Sequence, residues 1–166
     1  MPANRENDAA SCKNHTTAER ASERELVVRR TFNGPARIVF AAWSNPELFT
    51  QWWVPQSFCV SIVSSEMDIR TGGTYRLVMK HPSRDQPMAF FGRYIEVTPP
   101  TRLVWTNDES ENGAVTTVTF EEKAGRTLVF VRDLYPSKEA LDEAIASGST
   151  SGFDEQFRQL DALLAG

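Results

Sequence analysis

Residues 115–133 read V-T-T-V-T-F-E-E-K-A-G-R-T-L-V-F-V-R-D. Apolar and polar side chains alternate over Val115–Glu121, a period of two that predicts a strand. Lys123-Ala124-Gly125 is typical of a tight turn, and Thr127–Asp133 is predicted as the next strand. Because parallel strands need a connection of a dozen or more residues, we expect these two strands to be antiparallel.

Further strands are predicted upstream from the same alternation and from the turn residues that separate the runs. They are Glu25–Thr31, Phe58–Ile69, the alternating run 75–80, Ala89–Val97 and Arg102–Thr106. Since every connection from Phe58 onward is short, the pattern predicts an antiparallel meander.

Helical patterns lie between the first and second predicted strands and at the end of the chain. Pro35 suits the first turn of one short helix, and Asn45 suits the N-cap of a second that ends near Trp52. Near the end, a helical pattern over 137–146 is followed by Phe153, Phe157, Leu160 and Leu164, an apolar stripe typical of an amphipathic helix. The sequence therefore predicts an α+β fold whose sheet is covered on one face.

The first 24 residues differ in composition from the rest of the chain. Apart from Met1, Pro2 and Cys12, they contain no apolar side chain larger than alanine. Such a segment buries too little surface to offset the entropy of ordering it. We expect residues 1–24 to be a disordered polar leader and residues 25–166 to be a single domain.

Charge and cysteine content exclude several classes of function. The net charge is −4 and the basic residues form no cluster, which argues against nucleic acid or an anionic membrane as a partner. No apolar run approaches the roughly 20 residues that span a bilayer. With two cysteines and two histidines, no zinc site can be assembled. Free thiols in a reducing cytoplasm are the expected state of Cys12 and Cys59.

Four motifs, in order along the chain, carry a family resemblance. They are Trp43-Ser44-Asn45-Pro46-Glu47-Leu48, Trp52-Trp53-Val54-Pro55, residues 68–75 (DIRTGGTY) and residues 92–106 (GRYIEVTPPTRLVWT). Together they resemble bacterial proteins homologous to the C-terminal domain of the activator of Hsp90 ATPase, in the START-like or SRPBCC superfamily. The resemblance extends from about residue 25 to residue 164.

This resemblance implies a helix-grip fold of the START and Bet v 1 type. In that fold an antiparallel sheet of about seven strands wraps around a long C-terminal helix, with two short helices after the first strand. It also implies a cavity between sheet and helix that holds an apolar small molecule. Fold alone does not establish function.

No sequence motif of catalysis or cofactor binding is present. The chain lacks HExxH, GxSxG, P-loop and GxGxxG patterns, so we predict no catalytic residue, no metal and no cofactor. Asp68 and Arg70 are interpreted as an ion pair that supports the turn at Gly72-Gly73.

If the chain adopts the helix-grip fold, a set of mostly apolar and aromatic side chains should surround one internal cavity. Because ligand pockets are mostly apolar and aromatic, these are the candidate ligand-binding residues. They are Phe40, Trp43, Trp52, Trp53, Tyr75, Leu77, Met79, Trp105, Val118, Phe120, Phe130, Arg132, Phe153, Phe157 and Leu160. A filled core without a ligand is the alternative interpretation.

Arg132 is singled out by strand parity. It shares parity with Leu128 and Phe130, so we expect its guanidinium to point inward with them. An inward guanidinium needs an acceptor, either an internal carboxylate or the acid group of a ligand. The second option predicts a fatty or aromatic carboxylate as ligand, since guanidinium favours two-oxygen partners.

Three functions follow from these observations as hypotheses. The first is non-enzymatic binding of a hydrophobic or amphipathic small molecule. The second is a protein-interaction module, such as a chaperone accessory, and the third is a cyclase or hydrolase that uses polar groups of the cavity. The sequence leaves open whether the chain forms a homodimer.

Overall fold

The computed structural model describes residues 16–148 and 152–165. Its framework is one eight-stranded sheet in which all neighbours are antiparallel. The strands are β1 (Thr17–Arg20), β2 (Glu25–Asn33), β3 (Ser61–Met67), β4 (Thr74–Lys80), β5 (Met88–Thr98), β6 (Arg102–Thr106), β7 (Val115–Lys123) and β8 (Arg126–Leu134). Their order is β1-β2-β8-β7-β6-β5-β4-β3, so the first strands of the chain join the last one and β3 forms the far edge.

The turn between β7 and β8 sets the register of the sheet centre. Ala124 and Gly125 both have positive φ, 55° and 76°, as the two central residues of a tight hairpin turn require. Lys123 consequently pairs with Arg126, and each further step along β7 fixes one partner on β8. The predicted antiparallel pairing of these strands is confirmed.

β3 is shorter than predicted. Gln56–Phe58 form a short 3₁₀ turn, and Cys59 adopts a left-handed φ of 55°. The extended pairing with β4 therefore begins at Ser61 rather than at Phe58.

Four helices complete the fold: α1 (Ala36–Ser44), α2 (Pro46–Trp52), α3 (Lys138–Ala146) and α4 (Phe153–Ala165). α2 begins where the sequence predicts, because the Asn45 side chain accepts a hydrogen bond from the Glu47 backbone at 3.0 Å. Ser137 caps α3 in the same way through the Ala140 backbone at 3.1 Å. In the described residues no helix is both long and apolar enough to cross a membrane.

The core lies between the inner face of the sheet and helices α1, α2 and α4. Phe157 of α4, 1% exposed, packs edge-on against Phe32 of β2 and Trp43 of α1, with ring centroids 5.4 and 6.1 Å apart. Trp43 also contacts Phe120 of β7. This aromatic cluster joins the terminal helix to the sheet, as the predicted α+β architecture requires.

The expectation that the domain begins at residue 25 is wrong for Thr17–Arg20, which form the edge strand β1. All four side chains are exposed, and the strand is held by backbone pairing with β2. Arg20 adds an ion pair to Asp142 of α3 at 2.7 Å. The prediction rested on missing apolar side chains, but pairing at a sheet edge needs only backbone N–H and C=O groups. Residues 1–15 of the predicted leader lie outside the described residues.

Candidate functional site

A cavity of about 600 Å³ opens between the inner face of the sheet and the helices. Strands β4 to β8 form its floor, α3 and the start of α4 lie on one side, and the 53–60 segment closes another. Seven of the predicted ligand-binding residues line it: Trp43, Trp53, Tyr75, Leu77, Met79, Trp105 and Phe153.

Six other predicted residues lie in the closed core instead. They are Phe40, Trp52, Val118, Phe120, Phe157 and Leu160, and each is at most 4% exposed. Trp52 illustrates the difference from its neighbour Trp53. The Trp52 indole is completely buried and donates a hydrogen bond to the Ala42 carbonyl at 2.9 Å, whereas Trp53 is partly exposed and borders the cavity.

The prediction that Phe130 and Arg132 bind a ligand in the cavity is wrong, because both residues lie on the outer face of β8. The Arg132 side chain is 46% exposed, and its Nη1 atom is 3.5 Å from Glu25 Oε1. Its guanidinium also lies over the Phe130 ring, 5.4 Å from the centroid. The inner face of β8 carries Val129 and Val131, so the assumed parity is inverted.

Asp133 is the polar residue that this inverted parity brings into the cavity, although the sequence pattern did not indicate it. Pairing along the sheet places Asp133 opposite Thr116, Thr116 opposite Trp105, and Trp105 opposite Tyr94. One inner-face row therefore crosses β8, β7, β6 and β5, beginning with a carboxylate and continuing into aromatic rings. All four residues line the cavity.

Hydrogen bonds connect this row to β4. The Tyr75 hydroxyl donates to the Thr106 carbonyl at 2.8 Å and approaches Asn107 Oδ1 at 3.3 Å. Asn107 Nδ2 donates to Thr116 Oγ1 at 3.1 Å, and the Thr116 hydroxyl donates to Asp133 Oδ1 at 2.6 Å. The chain of donors thus runs toward Asp133 and holds one of its two carboxylate oxygens.

The electrostatic state of the row follows from its burial. Burial raises the pKa of the Asp133 carboxyl to about 6, although the hydrogen bond from Thr116 acts in the opposite direction. Burial, with a smaller effect of the Asp133 charge, raises the pKa of Tyr135 to about 12. Burial likewise raises the pKa of Tyr75 and Tyr94 above the ordinary tyrosine value. Near neutral pH the phenols are therefore uncharged, and the carboxylate is the charged group of the row.

Helix α4 fixes the segment that carries Trp53. Gln159 Nε2 donates to the carbonyls of Trp52 and Val54 at 2.9 Å each, and Gln156 donates to the Trp53 carbonyl. The Gln56 backbone in turn donates to Gln159 Oε1 at 2.8 Å. These contacts involve uncharged glutamine amides, and the Glu155 carboxylate of α4 adds a charged one by accepting a hydrogen bond from the Ser57 backbone at 2.9 Å.

The described residues offer no set of side chains suited to bind a metal ion. Within residues 16–148 and 152–165, no group of three or more His, Cys, Asp or Glu side chains could hold a metal ion. Asp68 and Arg70 form the exposed ion pair that the sequence predicted, at 2.8 Å beside the Gly72 turn.

Comparisons with known proteins agree with this architecture. The family model described as Activator of Hsp90 ATPase homolog 1-like protein matches residues 33–165. Among solved structures, a Rhodobacter sphaeroides protein is similar at 25% identity with a TM-score of 0.81, covering 90% of this chain and 97% of that one. A Staphylococcus epidermidis protein matches at 27% identity and TM-score 0.76, covering 90% and 93%.

A solved AHSA1-like protein from Aeromonas hydrophila shares the fold at 21% identity and TM-score 0.68, covering 84% of this chain and 93% of that one. A search of curated proteins finds no significant match.

Proposed function

The chain belongs to the Activator of Hsp90 ATPase homolog 1-like family, and from this membership we propose that it binds an apolar or amphipathic small molecule in the cavity between its sheet and helices. The role is binding rather than chemical conversion of the ligand. The proposal locates this role in the cytoplasm, where the exposed Cys59 thiol stays reduced.

The observation that carries the proposal is the cavity itself. The sheet and the helices leave about 600 Å³ between them where a protein core would be closely packed, and this space opens to solvent. Its volume lies within the range of small-molecule sites. Its walls include aromatic and aliphatic side chains, with Trp53, Trp105 and Met79 among them, and Thr116 and Asp133 provide a hydrogen-bonded polar pair.

A protein-accessory role is the second candidate. The observation that favours it is the outer face of β5, where Phe91 is 41% and Ile95 is 50% exposed. Exposed apolar side chains that share a face are typical of surfaces that contact other proteins. The family description, which names an ATPase activator, is consistent with this role.

Purification from the host organism without detergent, followed by native mass spectrometry, tests the two candidates. We expect excess mass on the folded protein that disappears on denaturation and is recovered as a small molecule. A chaperone that co-purifies with ligand-free protein would support the second candidate instead.

An apolar fluorescent dye provides the complementary measurement on recombinant protein. We expect the dye to bind with one-to-one stoichiometry and to quench tryptophan fluorescence, because Trp43, Trp53 and Trp105 line the cavity. Protein that carries no small molecule from its host and also fails to bind the dye would overturn the proposed function.

A further inference from the structure

We infer that the ligand of this cavity carries a protonated amine, and that Asp133 binds this amine at the polar end of the inner-face row. The inference rests on the proposed function, because it assigns the head group of the same ligand. It also replaces the carboxylate ligand that the expected orientation of Arg132 had suggested.

The hydrogen-bond chain leaves Asp133 with an acceptor to spare. In the described residues, Thr116 Oγ1 is the one hydrogen-bond donor to the Asp133 side chain, and it contacts Oδ1. The donors behind it are already used, since the Asn107 amide bonds to the Ala114 carbonyl and to Thr116. No described residue donates a hydrogen bond to Oδ2, and the partly exposed side chain leaves this oxygen open to a donor from solvent or from a ligand.

No positive charge from the protein approaches Asp133 across the cavity. Among the described residues that line the cavity, none is Lys, Arg or His. The guanidinium of the adjacent Arg132 lies on the opposite face of β8 and pairs with Glu25. A carboxylate partly removed from water without a cationic partner is unfavourable, which agrees with the raised pKa of Asp133. A ligand ammonium would provide both the missing charge and the missing donor.

The other charged side chains that line the cavity are also acidic. Glu109, on the loop after β6, and Glu143 of α3 are exposed residues that border the cavity. Carboxylates around a low-dielectric opening raise the local concentration of cations and repel anions. Trp105 and Tyr94, next in the row after Thr116, offer aromatic surface to the apolar part of the molecule.

A matched series of ligands tests the inference: decylamine, decanol and decanoate, which share one chain and differ in the head group. Binding is measured at pH 8 by tryptophan fluorescence and calorimetry. At that pH an aliphatic amine is protonated. Charge-assisted hydrogen bonds are stronger than neutral ones, so we expect decylamine to bind wild-type protein about tenfold or more tightly than decanol. Decanoate should bind weakest.

Two variants separate the Asp133 contact from general attraction. Asp133→Asn keeps the shape and the acceptor for Thr116 but removes the charge. The affinity of this variant for decylamine should therefore fall to within about threefold of its affinity for decanol, and its affinity for decanol should equal that of wild type. Asp85→Asn makes the same chemical change in an exposed loop and should retain the full amine preference.

Each outcome has a separate meaning. Equal affinities of amine and alcohol for wild-type protein would overturn the inference and leave the proposed function standing, as would an amine preference that survives Asp133→Asn. Failure of all three ligands to bind would count against the proposed function itself. The wild-type comparison is decisive by itself if the Asp133 variant does not fold.

Discussion

Arg132 and Asp133 are adjacent in the chain but lie in opposite environments. The Arg132 side chain is half exposed over Phe130, while Asp133 faces the cavity beside Thr116. Successive side chains of a strand point to opposite faces, so placing one of these residues places the other. The charge presented to the cavity is consequently negative, opposite to the expectation from sequence.

The raised pKa of Asp133 predicts a pH-dependent stability. With a folded pKa of about 6 against an ordinary value of 3.8, the folded state binds more protons between these values, so stability falls as pH rises through that window. We expect Asp133→Asn to be more stable than wild type by on the order of 1–3 kcal/mol at pH 8 and to lose this advantage near pH 4. Urea unfolding of ligand-free protein at both pH values measures the difference.

The Asp85→Asn variant is the control for the loss of one negative charge, since Asp85 lies in the exposed loop between β4 and β5. A stability difference between wild type and Asp133→Asn that stays constant from pH 4 to pH 8 would contradict the prediction.

β1 shows how an element can form without an apolar face. It lies at the edge of the sheet, its four side chains are exposed, and Leu26 to Arg29 of β2 provide its pairing partners. Arg20 then connects this edge to α3 through Asp142, so the strand also contacts a helix that borders the cavity. Thr17 also accepts a side-chain hydrogen bond from Arg29 at 3.1 Å. Between these two ends, the pairing of Ala18 and Glu19 should depend on backbone hydrogen bonds and little on side-chain type.

Proline substitution at Ala18 and Glu19 tests this interpretation. Successive backbone N–H groups of an edge strand point alternately toward the neighbouring strand and away from the sheet. We expect one proline variant to lose about 0.5–1.5 kcal/mol of unfolding free energy and the other to lose clearly less. Ala18→Ser and Glu19→Ser, which keep the N–H group, are the controls. Two proline variants as stable as their serine controls would show that β1 is not paired in solution.

At the scale of the whole molecule, the aromatic residues divide into two populations. One population, around Phe157 and Phe32, packs ring against ring and closes the core, and Trp43 contacts both rings and also lines the cavity. The other, with Trp53 and Trp105, stands at the border of an open space. The cavity exists because the inner face of the sheet extends from β2 to β3 whereas α4 packs against β2 and the two short helices.

Val129 and Val131 allow the open space to be tested within one strand. Both lie on the inner face of β8, but Val131 lines the cavity and Val129 is fully buried in the core. We expect Val129→Phe to cost about 1–3 kcal/mol through overpacking, and Val131→Phe to cost less than about 1 kcal/mol because its ring enters the cavity. Chemical denaturation measures both values.

Dye binding provides the second measurement for this pair. Val131→Phe should reduce dye uptake, and Val129→Phe should leave it unchanged as long as the protein is folded. Equal destabilisation by the two substitutions would mean that the cavity is filled by side chains in solution.

Much of the fold could be predicted from local sequence pattern. Period-two alternation in β4 and β7, the Asn45-Pro46 start of α2 and the stripe of α4 each express the physics of a single element. Of the candidate site, the aromatic wall at Trp53, Tyr75 and Trp105 was predicted together with core residues that have the same pattern. Which aromatic side chain faces a ligand depends on distances between elements, and local periodicity carries no information about those distances.

The inner face of β8 is determined by its pairing with β7 and not by the sequence pattern of β8 itself. Residues 128–131 are apolar at every position, so alternation assigns no inner face to them. The clear parity of β7, carried across the two-residue turn at Ala124-Gly125, places Thr116 opposite Asp133 and would have shown the acid facing inward.

The sequence by itself determined seven of the eight strands, their antiparallel connections and the amphipathic terminal helix, because each depends on interactions between near neighbours in the chain. The tertiary structure alone decided that Thr17–Arg20 pair at the sheet edge and that an acidic side chain enters an aromatic cavity. Both depend on the partner that a residue meets across the sheet, and that partner is set by register and packing over long stretches of chain.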